Sequence, residues 1–152
     1  MCSSAHLARV FKEAVSQLYV EDRQLIEAEA HEQAITGQLA RHLGGRLADE
    51  GLDVDCEYNR DDRTPDDIKR DQNGNPMRPD IIAHRRRTRE NVLAVEVKPY
   101  WSRVDHAGDL ARLAHLTGQA FKYELGVHLE LGRDGPHFTW FGNGTEIGDP
   151  DA

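Results

Sequence analysis

The hydrophobic positions at the start of the chain repeat every three to four residues, which is the period of an amphipathic helix. The pattern predicts a first helix over residues 1–20, with a serine at position 3 or 4 available as its N-cap. It predicts a second helix over 22–43, which ends at a Gly-Gly pair. Glu32 falls within the apolar stripe of this second helix, so we expect its carboxylate to face whatever the helix packs against; the alternative is an ordinary surface glutamate.

From residue 52 the hydrophobic period changes to two, which is typical of a half-buried strand. Residues 52–59 form this strand, and we expect Cys56 to lie in the core. A polar connection over 60–78 follows, and connections of this length in compact domains are functional or disordered. Two further apolar runs, 81–83 and 91–100, are separated by a short charged turn, so they predict an antiparallel hairpin.

The last third of the chain has the pattern of one helix followed by two strands. Residues 102–105 have the form of a capping box, and the helix that they open is expected to end near position 122 or 123. Alternating apolar residues then predict strands over 123–131 and 137–141. The whole order, ααβββαββ, predicts an α+β, sandwich-like protein with one central mixed sheet of about five strands flanked by helices.

The composition agrees with one globular domain. The chain has 152 residues, of which 38% are hydrophobic and 30% are charged. We expect an N-terminal helix over 1–20, a core over 21–143 and a frayed tail over 144–152. Neither a membrane-spanning run nor a signal segment is visible, so we expect a cytoplasmic protein without a membrane partner. The two cysteines are too few for a disulfide framework or a cysteine-rich zinc site.

Two charged residues, Glu96 and Lys98, stand at the end of the otherwise apolar run 91–100. Side chains two apart in a strand share a face, so these two project together. An isolated buried charge is strongly unfavourable. The pair therefore requires partner side chains, a metal ion or an open cleft at the end of the strand.

Basic residues cluster in the chain although its net charge is −8. Such a charge argues against a domain that coats nucleic acid by bulk electrostatics. It does not exclude a nucleic-acid enzyme whose carboxylates hold a divalent cation. The candidates for phosphate contacts lie between the two hairpin strands and are Arg85, Arg86, Arg87 and Arg89. The alternative is a solvated hairpin tip.

Pro79-Asp80, followed sixteen positions later by Glu96-Val97-Lys98, resembles the motif of the PD-(D/E)xK nuclease superfamily, which has the restriction-endonuclease-like fold. The order of elements in that superfamily is a helix carrying a glutamate, a three-stranded meander, a helix and a further strand. This order is similar to residues 22–131, so the resemblance spans most of the chain. Gln119 and Tyr123 also resemble the Q-x-x-x-Y motif of the RecB-like branch. That branch often has glycine where this chain has Met77.

The resemblance implies an endonuclease that hydrolyses phosphodiester bonds of nucleic acid, with DNA as the expected substrate. The implied cofactor is Mg²⁺, with Mn²⁺ as a substitute, and the implied ligands are Asp80, Glu96, Glu32 and the backbone carbonyl of Val97. Lys98 would orient or deprotonate the attacking water and neutralise the phosphate. Gln119 would join the catalytic set, and Tyr123 the substrate contacts. A homodimer or a larger complex would supply sequence specificity.

Two other functions stay open at this point. One is a nuclease-fold module that binds nucleic acid or a partner protein without cutting. The other is a structural or regulatory domain in which Glu96 and Lys98 merely pair with neighbours; it would be favoured if Asp80 and Glu96 pointed to opposite faces. A zinc enzyme is not expected, because the eight histidines are scattered without a paired spacing such as H-E-x-x-H.

Overall fold

A six-stranded sheet organises the part of the chain that the computed structural model describes, residues 3–61 and 68–152. The strands are β1 (Asp53–Cys56), β2 (Ile81–His84), β3 (Asn91–Pro99), β4 (Leu125–Leu131), β5 (Pro136–Gly142) and β6 (Thr145–Ile147). The helices are α1 (Ser4–Glu21), α2 (Arg23–Glu27), α3 (Glu32–Leu47) and α4 (Ala107–Thr117), and a short 3-10 helix, Ala48–Glu50, extends α3. None of these described helices is long and apolar enough to cross a membrane.

The strands lie in chain order across the sheet, from β1 at one edge to β6 at the other. β3 and β4 run parallel and are joined through α4, whereas the other neighbouring strands are antiparallel. The predicted α+β class, the mixed sheet and the β2–β3 hairpin are confirmed. The prediction of about five strands and a frayed tail is wrong, because β6 turns back at Asn143-Gly144 and pairs with β5.

The central strand, β3, is buried on both faces, as predicted, because helices cover both sides of the sheet. Its odd-numbered apolar residues pack with α1 and α3 in one core cluster. Ala94 instead packs with Leu113 and Leu116 of α4 in a second cluster. Since successive strand residues point to opposite faces, Glu96 and Lys98 follow Ala94 onto the α4 side. The two charges therefore meet α4 rather than the larger core.

The first predicted helix agrees with the structure, but the second does not. Ser3 is the N-cap of α1, and its side chain accepts a hydrogen bond from the first turn. The helix predicted over 22–43 is two helices, separated by a turn in which Glu29 has a φ of 50°. The Gly-Gly pair lies inside α3, and the helical segment stops only at Gly51, whose φ of 71° is in the left-handed region that favours glycine.

The helix α4 begins later and ends earlier than the sequence predicts. Its N-cap residue is His106, whose side chain makes no capping hydrogen bond. Ser102 accepts a hydrogen bond from the N–H of Val104 in the preceding turn, and Asp105 accepts one from the N–H of Ala107, the first residue of α4. The helix ends at Gly118, which has an extended conformation. Gln119 and Tyr123 therefore lie beyond the helix on which they were expected.

The connection predicted over 60–78 is partly built into the fold, and its residues 62–67 lie outside the described part of the chain. Isolated bridges join Arg60 to Ile68 and Arg70 to Pro76. Met77, only 3% exposed, packs in the second core cluster. These contacts hold the segment that leads to Pro79-Asp80 against the α4 side of the sheet.

The prediction that Cys56 lies in the core is wrong, because its side chain is exposed. Cys56 ends β1, which is the edge strand. It borders a surface groove together with Thr36 and Gly37 of α3, and the glycine has no side chain with which to cover it. The other cysteine, at position 2, lies outside the described residues.

Close packing of α4 on the sheet gives a first testable prediction. A Cβ on Gly126 of β4 would lie 3.0 Å from Cγ2 of Thr117 and 3.3 Å from Cβ of Phe141. We expect Gly126→Ala to lower the free energy of unfolding by about 1–3 kcal/mol through overpacking. As a control, Gly45→Ala in α3, where a Cβ meets nothing within 4 Å, should raise it by up to about 1 kcal/mol. Urea denaturation measures both, and equal effects would contradict the packing described.

Candidate active site

A polar cleft of about 410 Å³ opens where the start of β2 meets the second half of β3. Four side chains selected from the sequence line it, and they are Glu32, Asp80, Glu96 and Lys98. Two residues of α4, Asp109 and Arg112, line it as well. Asp80 and Glu96 thus share one cleft instead of pointing to opposite faces of the sheet.

Asp80 is fixed against β3 by a backbone hydrogen bond. It immediately precedes β2, and its Oδ2 accepts a hydrogen bond from the N–H of Val97 at 2.8 Å. Burial raises the pKa of the Asp80 carboxyl above its usual value, although the bonds from Val97 and with Glu96 oppose that rise. The carboxyl is therefore held in place but poorly solvated.

Glu96 is the most deeply buried acid of the cleft, with only 2% of the residue exposed. Burial raises the pKa of its carboxyl well above the usual value, and the charge of Asp80 adds to this effect. Nε of Arg112 donates a hydrogen bond to Oε1 of Glu96 at 3.1 Å, which partly offsets it. The two carboxyls retain a shared proton, or gain a cation, more readily than they carry two negative charges.

Asp109 connects the remaining charged groups of the cleft. Its Oδ2 lies 3.1 Å from Nζ of Lys98 and 3.3 Å from Nε2 of His128, and its Oδ1 accepts a hydrogen bond from Arg112. Burial alone would raise the pKa of Asp109, but the hydrogen bonds from His128 and Lys98 outweigh it and lower the pKa. Asp109 therefore stays ionised and holds Lys98 in a defined position on the floor of the cleft.

Glu32 lines the cleft, but it occupies a different position in its helix from the one that the sequence predicts. The predicted stripe would place it in the middle of a helix, but it is the first residue of α3 and is exposed. Partial burial and then the charge of Asp80 raise the pKa of its carboxyl, while Lys98 opposes this rise. The charges that act on the Glu32 carboxyl include those of Asp80 and Asp109, so Glu32 lies within electrostatic range of these two cleft acids.

The oxygen atoms of the cleft fit a small, hard divalent cation. Mg²⁺ prefers carboxylate and carbonyl oxygens, which Asp80, Glu96 and Glu32 offer from three different elements. A dication would also offset the burial and, secondarily, the charge repulsion that raise the pKa values of these acids. Arg112 already supplies one positive charge beside Glu96, so a metal ion would compete with this guanidinium.

Other residues selected from the sequence lie away from the cleft. Gln119 is exposed beyond the end of α4. Tyr123 is buried in the second core cluster. Val97, by contrast, does line the cleft: its side chain belongs to the core on the opposite face and its N–H holds Asp80, while the ligand expected from it is its backbone carbonyl. Within the part of the chain that the structure describes, neither Gln119 nor Tyr123 lines the cleft.

The four hairpin arginines lie at the far end of β3 from the cleft. Arg85 bonds to the carbonyls of residues 50 and 51, and Arg86 pairs with Asp55 at 2.6 Å. Arg89 pairs with Asp61 and bonds to the carbonyl of residue 120. Arg87 is exposed, and within residues 3–61 and 68–152 its side chain makes no hydrogen bond or ion pair. Three of the four arginines thus stabilise the turn and its neighbours.

The cleft also contains charged residues that the sequence motifs do not indicate, among them Arg78, Asp109 and Arg112. Asp109 could have been found, because it stands four residues before Leu113 and seven before Leu116, in the buried stripe of α4. The same reasoning had singled out Glu32. Arg78 and Arg112 carry no comparable signal, since one ends a connection and the other lies beside the stripe.

No protein-family model, curated protein or solved structure matches this chain. The fold and the cleft define a class, an α+β protein with a buried acid, a half-buried acid and a lysine at the meeting point of two central strands. What the protein does must be inferred from that cleft.

The raised pKa values of the cleft acids give a second prediction. The ordinary pKa is 3.8 for Asp80 and 4.5 for Glu96, and both are raised in the folded protein. The stability that this shift contributes is fully present below the ordinary pKa values and is lost as the pH rises through the raised ones. Asp80→Asn keeps an acceptor for the N–H of Val97 and removes one charge. In chelator and above neutral pH, we expect it to stabilise the protein by about 1 kcal/mol, or roughly 2–4 °C in Tm.

The gain from Asp80→Asn should shrink as the pH falls into the acid range, because wild-type Asp80 is then also uncharged. Glu57→Gln is the control, since Glu57 lies on the exposed rim of the same cleft. It should leave the pH dependence of Tm unchanged. A destabilised Asp80→Asn variant at alkaline pH would show that the acid pair is not under electrostatic strain.

Proposed function

We propose that the protein is a divalent-metal-dependent nuclease of the PD-(D/E)xK type that hydrolyses phosphodiester bonds of DNA. The observation that carries the proposal is the convergence of Asp80, Glu96 and Lys98 in one cleft. The order of α3, β1 to β3, α4 and β4, with helices on both faces, supports a restriction-endonuclease-like core. A structural role for the acid pair would be hard to reconcile with its raised pKa values.

In this proposal each cleft residue has a distinct role. Asp80 and Glu96 hold Mg²⁺ or Mn²⁺, with Glu32 and the carbonyl of Val97 as further ligands. When bound, the ion supplies Lewis-acid stabilisation of the negative charge on the phosphate. Lys98, held by Asp109 at 3.1 Å, orients the attacking water and neutralises part of the phosphate charge.

The alternative is a nuclease-fold module that binds nucleic acid or a partner protein without cutting. Arg112 favours it, because this side chain is held by Asp109 and donates a hydrogen bond to Glu96, an acid that a metal would use. Calorimetric titration with Mg²⁺ separates the two functions. A nuclease must take up the ion at the acid pair, whereas a binding module that keeps Arg112 in place need not.

The third prediction concerns activity. The purified protein should cut DNA with Mg²⁺ or Mn²⁺ and stay inactive in chelator. Asp80→Ala and Glu96→Ala remove metal ligands, and Lys98→Ala removes the group that orients water, so each should lower the rate at least about 100-fold. Cleavage of a labelled duplex measures the rate, and circular dichroism checks the fold.

Lys12→Ala is the matched control for these variants. Lys12 is also a lysine paired with an aspartate, Asp149 at 2.5 Å, but it lies on α1, away from the cleft. Its replacement should leave the rate unchanged. Full activity in all three cleft variants would contradict the proposed mechanism. Activity restricted to the wild type and Lys12→Ala would support it.

The substrate would meet basic side chains at two places. Arg78 is exposed and lines the cleft, so it is placed to contact the phosphate near the acid pair. The hairpin arginines lie beyond the first residue of β3, roughly 20 Å from Glu96 at about 3.3 Å per residue. Among them, Arg87 makes no hydrogen bond or ion pair within residues 3–61 and 68–152. A duplex would need roughly six base pairs, at about 3.4 Å each, to reach from one place to the other.

The fourth prediction uses this separation. Binding is measured without divalent metal on a duplex too short to span both places and on a longer one. Arg78→Ala should weaken both complexes and lower the salt slope by about 0.9, the value for one phosphate contact. Arg87→Ala should weaken only the longer complex. If Arg87→Ala changes neither complex, the hairpin is a solvated surface; if Arg78→Ala changes neither, the cleft does not bind the backbone.

A further inference from the structure

A second group of metal-ligating side chains lies beside the cleft, on the α4 side of the sheet. One ligand atom from each of His106, His128 and Glu130 lies within 4.8 Å of the other two. His128 and Glu130 stand two residues apart on β4 and so share a face, while His106 is the N-cap residue that opens α4. The parallel pairing of β3 with β4, together with the start of α4, brings the three together.

The spacing of these atoms is close to that of a tetrahedral site. Bonds of about 2.0–2.1 Å put neighbouring ligand atoms about 3.3 Å apart. Nδ1 of His106 and Oε1 of Glu130 are already 3.2 Å apart. The rings of His106 and His128 are 5.0 Å apart between centroids. The ligand atom of His128 lies within 4.8 Å of both other atoms, which is at most about 1.5 Å more than the tetrahedral spacing.

Surrounding contacts support a binding role for this group. Nε2 of His128 lies 3.3 Å from Oδ2 of Asp109, and a carboxylate commonly holds a metal-ligating histidine in this way. On the neighbouring strand, Nδ1 of His137 lies 3.0 Å from Oε2 of Glu130. His128 is buried, whereas His106 and Glu130 are partly exposed, so the group is anchored on one side and open to solvent on the other.

We propose that His106, His128 and Glu130 bind a transition-metal ion of the zinc class. Two imidazoles and one carboxylate are a ligand set that zinc accepts with a fourth position left for water or another donor. Imidazole nitrogen favours zinc over Mg²⁺, so this site differs in chemistry from the oxygen-lined cleft. The inference does not depend on the proposed nuclease activity, because it uses none of the three residues assigned to cutting.

The test is Zn²⁺ binding by the full chain, measured in competition with a chromophoric chelator. The parent protein carries Cys2→Ser and Cys56→Ser, which removes thiolates as competing ligands. We expect one Zn²⁺ per chain, and His106→Ala or Glu130→Gln should weaken binding at least about 10–100-fold. Substitution with Co²⁺ should give the visible absorption bands of a tetrahedral site, and these should vanish in both variants.

His6→Ala is the matched control, because His6 pairs with Glu50 at 3.0 Å and has a side chain about as exposed as that of His106. Its affinity for Zn²⁺ should equal that of the parent. Asp80→Asn should also keep the affinity, which separates this site from the cleft. Equal affinity in the parent, His106→Ala and Glu130→Gln, or loss of binding in Asp80→Asn, would overturn the assignment.

Discussion

The burial of the Glu96 carboxyl beside that of Asp80 is the constraint on which the cleft depends. Two acids in a poorly solvated place are tolerated only if they are protonated, paired or bound to a cation. The fold meets this requirement with Arg112 on Glu96 and the Val97 N–H on Asp80. The first contact exists because α4 packs against β3. The second exists because β2 begins beside the middle of β3, where Ile81 pairs with Val95.

Asp109 links the acid pair to neighbouring charged residues. It contacts Lys98, Arg112 and His128, so it lies between the oxygen-rich cleft and the nitrogen-rich group on β4. A buried acid with three basic neighbours is favourable only while each stays in place. The position of α4 therefore affects the charges of both the acid cleft and the group of His106, His128 and Glu130. Asp109 of α4 supports both of them.

Sequence reasoning succeeded for features that depend on a short stretch of chain. The period of α1 and the double-sided burial of β3 were both predicted, and so was the hairpin that brings Asp80 beside β3. It failed at the ends of helices, because these depend on single backbone conformations. The positive φ of Glu29 and Gly51, and the extended conformation of Gly118, set boundaries that hydrophobic period does not encode.

By itself the sequence determined that Glu96 and Lys98 share a face at the end of a buried strand, since side-chain alternation is a local property of the chain. The tertiary structure alone decided what they meet. The packing of α4 gave them Arg112 and Asp109, and the register of β3 with β4 set His128 beside Glu96. Eight histidines scattered along the chain showed no metal spacing, yet the fold brings two of them to Glu130, because contacts across a sheet depend on strand register rather than on distance in sequence.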